Sequence, residues 1–159
     1  MDAGALFADL RRLLIGRPIQ FFRLAANTLL LYIDCEPGQD GGYVIWVEPT
    51  WHFSDTKGVL VGSRQAQGEG EAGASTEELR QIGEPLNRLL RLPVTRLDRD
   101  ERTGDLTVEV GGRLLIRTFV SDPSDDDLWS IRDRNRGVEV RGTTRSLEAS
   151  GPKSDPSSV

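Results

Sequence analysis

The sequence holds a single cysteine, Cys35, among 159 residues. A lone thiol closes no internal disulfide, which sets the chain apart from small secreted domains held together by disulfide frameworks. Long apolar runs are also missing. No stretch reaches the roughly 18 residues of a membrane-spanning helix, and Met1 to Gly16 has no basic start, apolar run and cleavage site of a secretory leader. Positive charge is in short supply, with 20 Lys and Arg against 25 Asp and Glu and a net charge of −5. The two signs are mixed along the chain. A nucleic-acid binder carries a basic stripe, because phosphate contacts dominate its affinity, so general nucleic-acid binding is not expected. These shortages point to a cytoplasmic protein with no membrane span.

Catalytic and metal motifs are scarce too. Histidine occurs once, as His52. A general acid or base there needs a nucleophile or carboxylate within reach; Glu48 and Asp55 are near in sequence, but no motif places a Ser or Cys nucleophile. His52 alternates with Trp51 and Phe53, so it reads as a surface histidine on the opposite strand face. Cys35 lies between Asp34 and Glu36, whose charges work against a reactive thiolate. Asp122-Pro123-Ser124-Asp125-Asp126-Asp127 places Asp122, Ser124 and Asp126 at positions one, three and five of a calcium loop, with Asp133 at twelve. Position six is Asp127 where Gly is needed, and twelve is not Glu. Asp122, Asp126 and Asp133 are therefore a weak metal set, and a solvated acidic loop is the default. No cofactor is implied, and a non-enzyme is favoured.

What the sequence does contain is a repeat. Leu10-Arg11-Arg12-Leu13-Leu14, followed by Pro18-Ile19, returns as Leu86-Asn87-Arg88-Leu89-Leu90, followed by Pro93-Val94. Leu29, Leu31 and Ile33 match Leu106, Val108 and Val110. Trp51-His52-Phe53-Ser54-Asp55, running to Gly58-Val59-Leu60-Val61, matches Trp129-Ser130-Ile131-Arg132-Asp133, running to Gly137-Val138-Glu139-Val140. Trp is rare, and the order is kept at an offset near 75 residues, as an internal duplication requires.

Each half opens with a helix. Asp2 or Gly4 starts the first, with Leu6, Leu10, Leu13 and Leu14 on one face. Ser75 and Glu78 form the capping pattern of the second, and Pro85 predicts a kink or break near Gly83-Glu84. Strands follow at 18–24, 28–34 and 43–48, and at 93–98, 105–111 and 113–119. A closing hairpin ends each half, with Gly58 and Gly137 at the turns. The expected fold is α+β and mostly β: two helix-plus-antiparallel-sheet repeats, about 6–62 and 79–142, packed about a pseudo-two-fold axis in one domain over 1–147. Barrel and sandwich both remain open. Residues 63–75 hold no large apolar side chain and read as a flexible linker, and 148–159 as a disordered tail.

The chain resembles a family of small bacterial proteins, frequent in actinobacteria, that carries no assigned activity. The resemblance rests on Arg17-Pro18-Ile19, Leu29 to Ile33, and Trp129-Ser130-Ile131 with Gly137-Val138. It spans about 10–142 and implies a packing scaffold rather than a reaction. By size, charge and compartment the chain is also similar to immunity proteins that neutralise bacterial toxins.

The stretch Trp46-Val47-Glu48-Pro49-Thr50-Trp51-His52-Phe53 holds two of the three Trp. Trp51 reads as core because Trp129 repeats it. Trp46 aligns near Ile116, has no aromatic counterpart, and is the better surface candidate, since exposed Trp and Tyr mark interfaces. Arg132, Arg134, Arg136 and Arg141 cluster near the last hairpin and suit an acidic partner or the acidic loop before them. The expected partner-binding residues are Tyr43, Trp46, His52, Arg132 and Arg134. The function expected is a non-catalytic protein-interaction module of immunity or adaptor type with one protein partner. The alternative is a small-molecule site or minor enzyme with a pocket between the halves near His52. Homodimerisation through sheet edges is a third reading.

Overall fold

The computed structural model describes residues 1–68, 73–120 and 126–152. Helix α1 spans Ala3–Leu14 and is capped by Asp2, whose carboxylate accepts from the Ala5 amide. Strands β1 (Ile19–Ala25), β2 (Thr28–Ile33), β3 (Tyr43–Val47), β4 (Trp51–Asp55) and β5 (Gly58–Gly62) follow. A short helix α2 (Ser63–Gln67) leads to α3 (Thr76–Gly83). Ser75 caps α3 by accepting from the Glu78 amide. Pro85 converts the continuation into a 3-10 turn over Glu84–Leu89, as its missing donor requires. Strands β6 (Val94–Arg99), β7 (Leu106–Val110), β8 (Leu114–Thr118), β9 (Trp129–Asp133), β10 (Val138–Gly142) and β11 (Leu147–Ser150) complete the order.

All pairings are antiparallel, and the strands form two open sheets rather than a closed barrel. One sheet has six strands in the order β1-β2-β3-β9-β10-β11, and the other has five in the order β5-β4-β8-β7-β6. Each sheet thus takes a run of three strands from one half of the chain and a hairpin from the other, and the six-stranded sheet adds β11 at its edge. The inward alternation of Leu106, Val108 and Val110 is seen in β7, with Thr107 and Glu109 turned away from the core. Both sheets, α1 and the 3-10 turn contribute to one apolar core.

Trp51 and Trp129 are both fully buried, as the repeat predicts. Trp51, on the five-stranded sheet, donates its indole N–H to the Asn27 carbonyl in the β1–β2 turn at 2.8 Å. Trp129, on the six-stranded sheet, donates to the Gly104 carbonyl before β7 at 2.9 Å. Each indole therefore ties its own sheet to a hairpin end of the other, and satisfies a carbonyl that burial would otherwise leave unpaired.

Two segments differ from the sequence expectation. Within 63–75, residues Ser63–Gln67 form α2, with Ser63 and Ala66 buried. The Ser63 hydroxyl accepts from the Trp51 amide at 3.0 Å, and Gln65 accepts from the Gly62 amide at 2.9 Å. Two side chains that cap backbone donors hold a turn of helix that has little apolar surface to bury. The expected tail also begins too early. Residues Leu147–Ser150 pair with β10 as an edge strand, an arrangement that draws on backbone hydrogen bonds more than on apolar content.

Candidate functional site

The outer face of the six-stranded sheet carries a second, smaller apolar cluster. Leu29, Leu31 and Ile33 of β2 point into the main core, while Leu30 and Tyr32 point the other way and form a second small cluster with Val44 and Cys35. Register across the sheet sets out two outer rows. The first runs Phe21, Tyr32, Val44, Arg132, Glu139; the second runs Arg23, Leu30, Trp46, Ser130, Arg141. Apart from Arg23 the rows are apolar over β1–β3, and over β9–β10 they are polar or charged.

Trp46 stands at the boundary. Its side chain is 37% exposed, whereas Trp51 and Trp129 are 1% and 0% exposed. Its indole N–H donates to Glu48, whose other carboxylate oxygen accepts from the Thr28 hydroxyl at 2.9 Å. The ring is therefore held in place on the surface. Two cavities meet at it. One, of about 250 Å³, lies between Leu30, Tyr32, Val44 and Trp46 on its floor and Gly38, Arg132 and Arg134 at its rim. The other, of about 220 Å³, is shared by Trp46 and Arg132 with Glu48, Asp127, Glu139 and Arg141.

The loop over 34–42 shapes the first cavity. Arg134 donates to the Gln39 carbonyl and lies 3.9 Å from the Cys35 sulfur. The Gly42 amide donates to the Asn135 side chain at 3.0 Å. Cys35 is buried and donates weakly to the Tyr43 carbonyl at 3.6 Å, so its role is packing. At φ +73 Gly42 lies in the left-handed region, and a Cβ there would come within 2.6 Å of the Cys35 Cβ. The described residues that line the first cavity include no carboxylate. In the second, Glu139 meets Arg132 at 3.3 Å and Asp127 meets Arg141 at 3.6 Å.

Of the five residues expected to bind a partner, Trp46, Arg132 and Arg134 share this surface. Tyr43 does not. It is 6% exposed, belongs to the main core, and lies under the Arg17 guanidinium. The alternation of β3 explains this, because Val44 and Trp46 take the outer positions. His52 sits on the other sheet, where its ring meets Phe119 edge-on at 4.4 Å between centroids. Burial, and then the nearby Arg117 charge, lower its pKa from the ordinary 6.5. Across the strand pairs Ile116 lies opposite Phe53 and Ile45 opposite Ile131.

His52, Glu48 and Asp55 are not brought together. Glu48 is engaged by Trp46 and Thr28, and Asp55 by Arg88 at 2.9 Å and by the turn amides of Lys57 and Gly58. The Arg88 hydrogen bond is the main reason that the Asp55 carboxyl titrates below its usual range. Asp133 is also committed. Buried at the β9–β10 turn, it accepts from the Asn135 and Arg136 amides and from the Arg136 guanidinium. Asp126 is exposed, and Asp122 lies outside the described residues. Among the described residues no group of three or more His, Cys, Asp and Glu is placed to hold a metal ion.

Leu30, Tyr32 and Val44 are the site residues that sequence reasoning passed over. The signal was the unbroken run Leu29-Leu30-Leu31-Tyr32-Ile33, which reads as a strand buried on both faces. Among the described residues no helix is long and apolar enough to cross a membrane. No protein-family profile matches the chain, and no curated protein or solved structure is similar to it at a significant level.

Proposed function

We propose that the chain is a non-catalytic protein-interaction module of adaptor or immunity type, and that it engages its partner through the outer face of the six-stranded sheet around Trp46. The observation that carries this reading is the meeting of two cavities at an exposed, hydrogen-bonded Trp, with an apolar floor on one side and Arg132 and Arg134 at the rim. Aromatic residues and Arg dominate interface energetics, and anchors that are already fixed lose little entropy on binding. The chemistry suits a partner segment that presents an apolar side chain to Leu30, Tyr32 and Val44 and a carboxylate to Arg132 and Arg134. Charge complementarity of this kind sets register and speeds association.

An internal duplication with exchanged closing hairpins accounts for the strand orders, in which β1-β2-β3 continues into β9-β10 while β6-β7-β8 continues into β4-β5. The antiparallel bridge between Pro18 and Pro93, matched residues of the two repeats, supports it. So does the use of Trp51 and Trp129 to hold hairpin ends. On this reading Trp46 and Ser130 occupy the positions that Arg117 and His52 occupy on the other sheet, and the two faces have diverged in chemistry.

The test is a selection from a random peptide library displayed against the whole chain, followed by calorimetry. Enriched peptides should pair an apolar residue with Asp or Glu. Trp46→Ala should weaken them by about 30-fold, the effect of losing a hot spot of about 2 kcal/mol, and Arg132→Glu by a comparable factor. Peptides without acidic character, or peptides that bind both variants as well as the parent chain, would refute the assignment.

A further inference from the structure

The second sheet carries a different kind of site. At the hairpin end of the five-stranded sheet, a cavity of about 420 Å³ is lined by Arg96, Arg99, Arg117, Thr107, Thr118 and Phe119, together with Asp98, Asp100 and Asp105. We propose that this cavity binds a small anionic ligand: a phosphate or carboxylate carried on a flat ring, with the anion held by Arg99 and Arg117 and the ring against Phe119.

The carboxylates in the cavity wall already have partners. Asp98 meets Arg11 at 3.3 Å and Arg96 at 3.5 Å. Asp100 accepts from the amides of Arg102 and Thr103, and these hydrogen bonds, helped by the charges of Arg102 and Arg99, lower its pKa below the usual range. Asp105 accepts from the Thr118 hydroxyl at 3.0 Å, and that hydroxyl also accepts from the Leu106 amide at 2.8 Å. The side chains of Arg99 and Arg117 form no ion pair or hydrogen bond among the described residues. The Arg99 Nε is itself buried and without an acceptor there, so a ligand in the cavity is met by the outer N–H groups of the guanidinium. A buried donor without an acceptor is costly, and a guanidinium presents its N–H groups in a fork suited to a phosphate or carboxylate.

The ring side of the site is equally specific. Phe119 is 38% exposed, stands edge-on to His52, and has the Arg117 guanidinium 5.9 Å from its ring centroid. Arg117 is held between Thr107 and His52 by the sheet register, so its position does not depend on a flexible loop. An aromatic face beside the Arg117 guanidinium, in a cavity that Arg99 also lines, favours a ligand that combines a ring with an anion over a free inorganic ion. This site lies on the sheet opposite Trp46 and does not depend on the partner surface proposed above.

The experiment is an NMR titration of the full chain with phenyl phosphate, benzoate and inorganic phosphate as probes, following the amides of Thr103, Thr107 and Thr118. Phenyl phosphate or benzoate should saturate these shifts at a concentration at least about 5-fold lower than inorganic phosphate, the ring contact being worth about 1 kcal/mol. The comparison of the two ring-bearing probes identifies the preferred anion. Arg117→Gln and Arg99→Gln should each raise the midpoint by about 5-fold or more, Phe119→Ala should remove the advantage of the ring, and Trp46→Ala should leave every midpoint unchanged. Arg99→Lys, which keeps the charge and loses the fork, serves if Arg99→Gln does not fold. Unshifted Thr amides with all three probes, or equal midpoints in the arginine variants and the parent, would overturn the proposal.

Discussion

Replacing Trp129 by Phe removes two things that can be weighed separately. The indole N–H donates to the Gly104 carbonyl at 2.9 Å in a buried setting, and leaving that acceptor unpaired costs about 1–3 kcal/mol. The ring packs 5.5 Å from Phe7 between centroids and closes on Gly142, where a Cβ would approach Cε2 to 2.2 Å. Trimming the indole leaves a void in that space, costing about 1 kcal/mol more. The sum is about 2–4 kcal/mol. With a urea slope of about 2 kcal/mol per molar, the midpoint should fall by about 1–2 M. Trp46→Phe is the matched control. It alters a surface ring outside the core, and its midpoint should shift by no more than about 0.3 M. Equal shifts for the two variants, or a Trp129→Phe midpoint indistinguishable from the parent, would refute the division of the tryptophans into one that holds the sheets and one that faces a partner.

Three further predictions address other parts of the chain. Gly142→Ala should destabilise by about 1–3 kcal/mol through its collision with Trp129, and the double variant Gly142→Ala/Trp129→Phe should lose less than the sum of the singles; additive effects in urea melts would argue against the contact. Ala66→Asp should cost about 2 kcal/mol or more, because Ala66 is 1% exposed and an unpaired charge is placed there; an unchanged melting temperature would restore the flexible-linker reading of 63–67. His52 is the sole histidine, and its folded pKa lies below the ordinary 6.5. The unfolded chain then takes up the proton first. The contribution to stability is full above about pH 6.5 and is lost as pH falls through 6.5 and the lower folded value. His52→Gln should flatten this part of the stability profile, and an imidazole titrating at or above 6.5 by NMR would contradict the packing against Phe119 and Arg117.

Much of the scaffold is legible in the sequence because local rules and burial agree there. Leu106, Val108 and Val110 alternate and lie in the core. Ser75 and Asp2 cap the helices they precede, and Pro85 ends the regular helix at the position where its ring cannot continue it. The two buried tryptophans are readable from their repetition. The misreadings arise where pairing partners, rather than composition, decide the outcome. Residues 63–67 and 148–150 have too little apolar surface to predict order, yet Ser63 and Gln65 cap backbone groups and β10 offers an edge. Tyr43 was expected on the surface by residue type, but strand parity places it inside and gives Val44 and Trp46 the outer positions. The candidate surface was visible in part through Trp46 and the arginines of β9. Its apolar floor was hidden in the run from Leu29 to Ile33, since only the register of β2 with β1 and β3 shows that Leu30 and Tyr32 form a second cluster. The cavity at Phe119 depends on which arginines lack partners, a property that no one-dimensional pattern contains.

The central claim is that the Trp46 face meets a protein partner, and site-specific photo-crosslinking in the native host tests it most directly. A photoreactive side chain is placed at Ser130, beside Trp46 on the six-stranded sheet, or at Leu115 on the outer face of the five-stranded sheet. The account predicts a discrete adduct from position 130, its loss when Trp46→Ala is added to a chain that still folds, and no matching adduct from position 115. An adduct from position 115 alone, or one from position 130 that survives Trp46→Ala and Arg132→Glu, would contradict it.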